Sequence, residues 1–478
     1  MDPRLLAIFC KVPPKPDYNP VRQSIESSKD RPEVAAALKL FSSMPPSTAV
    51  LANPVRHHQR IAAADATLEL EVRSFTIRGR LFEEDVVSGK ADAIRVIFVG
   101  LFGRFPADEE AALFRDYLSR SLTLGIQKCC EKTREFMKSF PDASPDIVIQ
   151  HWASFRKAAR KIGQINASRP PGELLAEMIE IHMENVAVAG LASALRADPA
   201  EAMPAEQISD PFQWLFSMLL RRDVNPDEAR ILAQLGAIQV HHGSAGSNMV
   251  ARYFATLHTR SVSDLFTASQ MALDCGRHFG AITDMTDFVG DLERTPELER
   301  DNVIRGRIRK GNLPTFGHPE IAAAGRDNHL EMDPRPALYL APLFEAIDKG
   351  TVPVGPKTLK RATLLERIYQ VALVEGVEKA AGGRLRLTPN TDFGAWLVQE
   401  VLGIEEPDRT LLSYAYRGFG WMMDVREQLQ QPIIRPVIPP DPAIVPADLT
   451  DPIVPAIISS VHNRLIGGNA FSGNRRNR

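Results

Sequence analysis

The sequence predicts a mainly α-helical fold, and three observations support this. From about residue 92 onward, apolar residues recur every three or four positions, which is the period of a helix with one buried face. Capping residues, prolines and acidic residues stand just before these apolar runs, where helices begin. Alternating apolar and polar residues are scarce beyond residue 100. We therefore expect helices to form the core, without a large sheet.

The beginning of the chain predicts little helix. Residues 1–65 are rich in Pro, Ser and charged residues, and we interpret them as an irregular N-terminal extension. Leu68, Leu70 and Val72 alternate with charged neighbours, which makes residues 66–90 the best strand candidate. One small hairpin is therefore expected there.

Several helix starts can be placed from local signals. Pro106 precedes three acidic residues, which interact favourably with the dipole of a helix when they lie in its first turn. Asn225 and Pro226 suit the N-cap and first position of a second helix, and a third is predicted from Ser263. Further helices are predicted over residues 357–381, 391–403 and 408–430.

The composition of the chain changes at Gln431. Eight prolines lie between residues 432 and 455, a density that excludes a helix and predicts an extended, polyproline-like arm over residues 438–478. Such a segment can be a disordered tail. Its Ile and Val residues equally fit an arm that packs on a partner subunit, so both interpretations stay open.

Length and composition exclude several classes of protein. The 478 residues exceed one core of usual size, and we expect two domains. A net charge of −2 gives no general attraction for nucleic acid. No apolar stretch reaches the ~18–20 residues of a membrane span, and we see no signal peptide. The four cysteines show neither a disulfide framework nor zinc-ligand spacing, which is typical of the cytoplasm.

Three segments place ionisable residues among glycines and prolines, where backbones approach closely. They are residues 274–281 with His278, residues 314–319 with His318, and residues 388–394 with Asp392. Two histidines and one carboxylate can form an acid–base set. Each residue alone is ambiguous, because a histidine beside glycine is more often a packed residue and Asp392 could simply cap a helix.

Taken together, these segments resemble the signature of the citrate synthase family. That signature has a His in a Gly-rich turn, then a Gly-x-Gly-His motif, an Asp-Pro-Arg motif and an Asp that opens a late helix. The resemblance extends to residues 78–106, to 241–247, to 416–421 and to Arg435 with Pro436. It spans about residues 66–437, and the joint order of about six motifs makes chance agreement improbable.

The resemblance implies a role for each matching residue. Asp392 would remove a proton from the α-carbon of an acyl-CoA, while His278 would donate a hydrogen bond to the thioester oxygen. His318 would donate to the ketone oxygen of a 2-oxo acid. Four residues would bind the carboxylates of that acid: His241, Arg335, Arg417 and Arg435, the last from the partner subunit of a homodimer with a shared active site.

The residue types suit these roles. A thioester α-proton is a very weak acid, so a carboxylate removes it only if the developing oxyanion is stabilised at the same moment. A neutral histidine can donate that hydrogen bond. Arginine is always charged, and its planar fork matches a carboxylate in a bidentate way.

A basic cluster stands just before the His318 segment: Arg305, Arg307, Arg309 and Lys310. By the resemblance, it would bind the phosphates of coenzyme A. It is equally typical of an exposed basic helix end before Gly311.

The resemblance also implies fold and activity. The fold would have a large helical domain of residues 66–277 and 393–437, with a smaller mobile domain of residues 278–392. The activity would join acetyl-CoA or propionyl-CoA to oxaloacetate or a related 2-oxo acid, in the tricarboxylic acid cycle, with coenzyme A thioester as co-substrate and no permanent cofactor or metal. We expect a cytoplasmic enzyme without nucleic-acid or membrane partners. Two alternatives stay open: a citryl-CoA lyase and a non-catalytic dimeric scaffold.

The chain departs from the family pattern at several positions. Arg277 and Phe279 flank His278 where Leu and Gly are usual, and Thr315 stands in place of the first Gly of Gly-x-Gly-His. His242 replaces a Glu. The proton-transfer groups are retained, so these changes bear on the identity of the substrate more than on the type of reaction.

Overall fold

The structure, a computed structural model, is built almost entirely of α-helices. It describes residue 5 and residues 70–72, 75–77, 92–102, 106–159, 165, 170–198, 208–241, 246–257, 261–274, 280–317, 337–375, 377–380, 383–387 and 389–429. The Pro-rich arm and, apart from Leu5, the N-terminal extension lie outside these residues. No helix in the described ranges is long and apolar enough to span a membrane.

The described helices follow one another with short connections. They are α1 (Ala93–Phe102), α2 (Asp108–Ser139), α3 (Pro145–Ala159), α4 (Pro171–Ala197), α5 (Pro211–Leu220), α6 (Pro226–Gln239), α7 (Gly246–Thr256), α8 (Val262–Leu273), α9 (Gly280–Arg294), α10 (Arg300–Arg309), α11 (Ala337–Asp348), α12 (Pro356–Glu375), α13 (Thr391–Leu402) and α14 (Arg409–Gln428). The mainly helical prediction is confirmed.

Two short hairpins complete the described elements. Strands β1 (Leu70–Val72) and β2 (Phe75–Ile77) pair antiparallel, with Leu70 opposite Ile77, which confirms the predicted N-terminal hairpin. Strands β3 (Val377–Ala380) and β4 (Gly383–Arg386) form the second hairpin. The helix predicted over residues 357–381 is therefore wrong at its end, because α12 stops at Glu375. Glycines at 376, 382 and 383 disfavour helix and suit a hairpin.

Capping fixes several helix boundaries as predicted. Asn225 caps α6: its side chain accepts from the Glu228 backbone N–H, and the Glu228 carboxylate accepts from the Asn225 backbone N–H. This reciprocal pair satisfies two backbone donors that have no partner inside the helix. The N-cap of α8 is Ser261, so this helix begins one residue before the predicted Ser263.

Helix α4 occupies the centre of the described core. All residues from Ile181 to Leu195 are buried, as expected of a helix that is apolar on every side. Helices α2, α3, α5 and α14 pack around it. Helix α14 also contacts α1, α6, α7 and α8. The side chains of α14 are therefore almost all inside the protein.

A buried ion-pair network joins the helices that surround α13. Glu400 accepts from Arg361 Nη1 at 2.9 Å and from Arg409 Nη2 at 2.5 Å. Arg409 also donates to Thr286 Oγ1 at 2.8 Å. These contacts connect α9, α12, α13 and the start of α14. Buried charges are tolerated when they are paired and hydrogen-bonded in this way, and the network fixes the position of α13.

His182 packs directly on the backbone of α14 at Gly418. A Cβ at Gly418 would lie 2.0 Å from His182 Cε1, so only glycine permits this contact. Nε2 of His182 lies 2.8 Å from the carbonyl of Ala415, which requires the proton on Nε2 and leaves the ring neutral. Burial lowers the pKa of His182 to about 4.

The depressed pKa of His182 makes stability depend on pH. Above the ordinary pKa of 6.5, His182 is neutral in both folded and unfolded protein. As the pH falls from 6.5 towards 4, only the unfolded protein binds the proton, and the free energy of unfolding decreases by up to about 3 kcal/mol. The variant His182→Gln keeps an amide donor for Ala415 but cannot titrate, so its urea unfolding curves should depend less on pH in this range. Parallel pH profiles for both proteins would contradict this origin.

Candidate active site

Asp392 lies in the first turn of α13, but it does not cap the helix. The N-cap is Asn390, whose Oδ1 accepts from the backbone N–H of Asp392 at 2.9 Å and of Phe393 at 3.2 Å. The carboxylate of Asp392 is half-buried. The interpretation of Asp392 as a simple cap is therefore wrong. A carboxylate in this position also interacts favourably with the helix dipole.

The segment that leads into His318 runs alongside the cap of α13. Phe316 pairs with Pro389 in an isolated antiparallel bridge. The backbone N–H of Asn390 donates to the carbonyl of Thr315 at 3.0 Å, and its Nδ2 donates to the carbonyl of Gly317 at 3.0 Å. Two of the three segments with predicted catalytic residues thus meet in the described structure.

Left-handed backbone conformations explain the glycine pattern of this segment. Gly317 has φ of +77° and Thr315 has φ of +62°. Glycine adopts such angles without strain, whereas a β-branched residue is strained there by about 1–2 kcal/mol. Thr315, which stands where the family pattern has glycine, is therefore held in a conformation that its side chain disfavours.

A buried polar cluster surrounds His241 at the end of α6. Nε2 of His241 lies 3.1 Å from Asp424 Oδ1, and Nη2 of Arg252 lies 2.6 Å from the same oxygen. Nδ2 of Asn248 donates to Asp424 Oδ2 at 2.5 Å. Asn248 in turn accepts from Arg417 Nη1 at 3.0 Å. The predicted carboxylate-binding residues His241 and Arg417 are thus linked through Asn248 and Asp424.

Three helices build this cluster. Asn248 and Arg252 lie one turn apart on α7, and Arg417 and Asp424 lie two turns apart on α14, so each pair faces the same side of its helix. Gly420 allows α14 to approach the end of α6, because a Cβ there would lie 2.1 Å from the carbonyl oxygen of Val240. This close approach places His241, the next residue, against α14.

Sequence analysis did not identify Asn248, Arg252 or Asp424. All three are at most 4% exposed, and buried charged residues are rare unless they are paired. A usable signal was present, since a charged residue at 424 interrupts an otherwise apolar helix face. The arrangement offers buried cationic groups whose geometry is fixed in advance, as recognition of a small anion requires.

The basic residues before His318 occupy the C-terminal end of α10. Arg305, Arg307 and Arg309 lie on the helix, and Lys310 follows as its C-cap. Arg307 stacks over Phe288 with its guanidinium carbon 5.4 Å from the ring centroid, while Arg309 and Lys310 are exposed. Gly311 has φ of +66° and ends the helix. The predicted helix end is confirmed, and the binding of phosphates stays a prediction.

Other predicted site residues lie outside the described residues: His278, His318, Arg335 and Arg435. Helix α8 and helix α9 flank residues 275–279. Burial raises the pKa of Asp274, just after α8, to about 7, and the charge of Asp146 raises it further. Within the described part of the chain, no group of His, Cys, Asp and Glu side chains could hold a metal ion.

Comparison with known proteins identifies the family. The chain matches the family described as "Citrate synthase, C-terminal domain" over residues 23–437. It is 24% identical over 291 residues to the glyoxysomal citrate synthase of Cucurbita maxima, a match that covers 55% of this chain and 50% of that protein. The match thus spans half the length of this curated relative.

Solved structures of low sequence identity share the fold. A citrate synthase from Thermotoga maritima aligns with a TM-score of 0.56 and 15% identity, over 78% of this chain and 89% of that chain. A citrate synthase from Thermoplasma acidophilum, solved as a ternary complex with carboxymethyl coenzyme A and oxaloacetate, aligns with a TM-score of 0.53 and 17% identity. That alignment covers 80% of this chain and 95% of the other.

The variant Gly420→Ala tests the close approach of α14 to Val240. The added methyl group would meet a backbone carbonyl that cannot rotate away, and we expect the free energy of unfolding to fall by about 1–3 kcal/mol in urea titrations. Gly306→Ala on α10 is the matched control, because nothing lies within 4 Å and helix propensity predicts a gain of about 1 kcal/mol. Equal stability of both variants would contradict the contact.

The variant Asp424→Asn tests whether the buried carboxylate holds the cluster together. It removes the anion that lies 2.6 Å from Arg252, and breaking a buried pair costs about 3–5 kcal/mol of unfolding free energy. Asp291→Asn is the control, because its pair with Arg294 is exposed and worth about 0–1 kcal/mol. An Asp424→Asn protein as stable as this control would show that the charge is dispensable.

Proposed function

The chain belongs to the citrate synthase family, and on that premise we propose that it condenses acetyl-CoA with oxaloacetate to give citrate and free coenzyme A. One observation carries the proposal most directly. The segment that leads into His318 is hydrogen-bonded to the cap of the helix that carries Asp392. A base and an oxyanion donor must act on the same small substrate, so their segments have to lie together.

The proposed reaction begins with proton transfer to Asp392. The carboxylate takes a proton from the methyl group of acetyl-CoA, and His278 donates a hydrogen bond to the thioester oxygen as the enolate forms. The α-carbon then attacks the ketone carbon of oxaloacetate, and His318 donates to the oxygen that becomes the alcohol. Water cleaves the thioester of the resulting citryl-CoA and releases coenzyme A.

The cluster around Asp424 supports a dicarboxylate substrate. His241 and Arg417, together with Arg335 and Arg435, are proposed to bind the two carboxylates of oxaloacetate. Within the cluster, Arg417 is oriented by its hydrogen bond to Asn248, and His241 by its contact with Asp424. Fixing these side chains before the substrate arrives reduces the entropy lost on binding.

Coenzyme A is proposed as co-substrate, held through its phosphates by Arg305, Arg307, Arg309 and Lys310. The Thermoplasma acidophilum relative was solved with a coenzyme A analogue and oxaloacetate together. The exposed positions of Arg309 and Lys310 leave both cations available to a phosphate group. Acceptance of propionyl-CoA or of other 2-oxo acids belongs to the same proposal, as do the changed residues Arg277 and Phe279.

The proposed protein is a cytoplasmic homodimer of the tricarboxylic acid cycle, with Arg435 supplied by the partner subunit. We place its mobile small domain at residues 278–392 and its large domain at residues 66–277 and 393–437. The Glu400 network joins Arg361, on one side of that boundary, to Arg409 on the other. Any closing motion therefore has to keep these contacts or break a buried ion pair.

A thiol-release assay with Asp392→Asn tests the proposal. The variant keeps the size of the side chain and the Asn390 cap but removes the base, and a general base contributes about 10²–10⁴-fold to the rate. Asp227→Asn is the matched control, since Asp227 occupies the same position of α6 behind the N-cap Asn225. We expect oxaloacetate-dependent release of coenzyme A by wild type and by the control, and its loss in Asp392→Asn.

The other outcomes separate the alternatives. Retained activity in Asp392→Asn would refute Asp392 as the base. A wild-type protein that is silent with acetyl-CoA, propionyl-CoA and several 2-oxo acids is not a synthase. Cleavage of citryl-CoA by that protein would then identify a lyase, and the absence of cleavage a non-catalytic scaffold.

A further inference from the structure

We propose that Asn390 is a positioning residue, which fixes the register of the base Asp392 against the segment of His318. The inference rests on the proposed function for its chemical meaning and on the hydrogen bonds of Asn390 for its physical basis. The side chain of Asn390 is 7% exposed and uses both ends of its amide. We refer to its bonds to residues 315, 317, 392 and 393 as the Asn390 clamp.

The two ends of the amide serve different segments. Oδ1 accepts from the backbone N–H groups of Asp392 and Phe393 and so fixes the first turn of α13. Nδ2 donates to the carbonyl of Gly317, the residue directly before His318. The backbone N–H of Asn390 donates to Thr315. One rigid planar group therefore sets the distance between two backbones, each next to a proposed catalytic side chain.

Only asparagine provides this combination. Serine, threonine and aspartate can also accept from the first turn of a helix, but none of them carries an amide donor on the same short side chain. Glutamine carries the amide on a longer chain and is not a preferred N-cap. The donor to Gly317 is therefore the feature that capping alone does not require.

The segment held by the clamp is strained. Thr315 has a positive φ, and its hydroxyl is buried without a hydrogen-bond partner. Both features lower stability, and such strain persists only where surrounding contacts over-determine the backbone. The Asn390 clamp supplies two of those contacts, at Thr315 and Gly317. We expect the segment to relax when the donor is removed, which would move residue 318 relative to Asp392.

The chain contains a matched control at the start of α6. Asn225 is also an N-cap followed two residues later by an aspartate, its Oδ1 accepts from Glu228, and its Nδ2 donates to the carbonyl of Thr351 at 3.0 Å. The two asparagines thus share chemistry and helix position. Asn225 belongs to none of the proposed substrate contacts, so only the location of the clamp differs.

The experiment compares Asn390→Ser with Asn225→Ser, because serine keeps the cap and loses the amide donor. The readouts are kcat, the KM for each substrate, and the exchange of solvent deuterium into the methyl group of acetyl-CoA. Small misplacements of catalytic groups cost up to ~100-fold in rate, so we expect kcat and exchange to fall at least ~10-fold in Asn390→Ser with KM changed less than about twofold. Asn225→Ser should stay within about twofold in every readout.

Equal effects of the two serine variants on kcat and exchange would overturn the inference and leave Asn390 a cap. A double-mutant cycle with Thr315→Gly tests the clamp without reference to activity. Because Asn390 holds Thr315 in its strained conformation, the change in Tm caused by Thr315→Gly should differ between wild-type and Asn390→Ser backgrounds. Additive changes would overturn the clamp. A wild-type protein without turnover would overturn the proposed function, and the cycle then decides the inference alone.

Discussion

The burial of α14 is the constraint on which the site depends. A helix that is inside the protein on nearly all sides must satisfy every charge it carries, since an unpaired buried charge is very costly. Asp424 on α14 meets this requirement through His241, Arg252 and Asn248. Pairing of this one carboxylate brings the end of α6, the start of α7 and α14 together, and places Arg417 beside them.

Glycine makes this central packing geometrically possible. At Gly418 the imidazole of His182 lies on the helix backbone, and at Gly420 the carbonyl of Val240 does. A methyl group at either position would separate α14 from its neighbours. The glycines of the Tyr416–Trp421 motif therefore act through backbone proximity, and the arginine between them is presented to the site because the backbones are so close.

The second half of the site is organised by the start of α13. The Glu400 network fixes the body of this helix, and Asn390 fixes its first turn to the segment of Thr315 and Gly317. Stability is given up locally, at the left-handed Thr315, and recovered by these long-range bonds. Such a distribution is common where catalytic geometry matters more than local conformational preference.

The sequence by itself determined the helical class, the first hairpin and the N-cap of α6, because these depend on residues within one or two turns of each other. Motif order alone also indicated the family. Only the tertiary structure decided that Asn390, rather than Asp392, caps α13, that α12 stops at Glu375, and that Asp424 lies beside His241. These features join residues that are far apart in the chain or are set by competing local preferences. A local pattern carries no information about which distant partner satisfies a buried polar group.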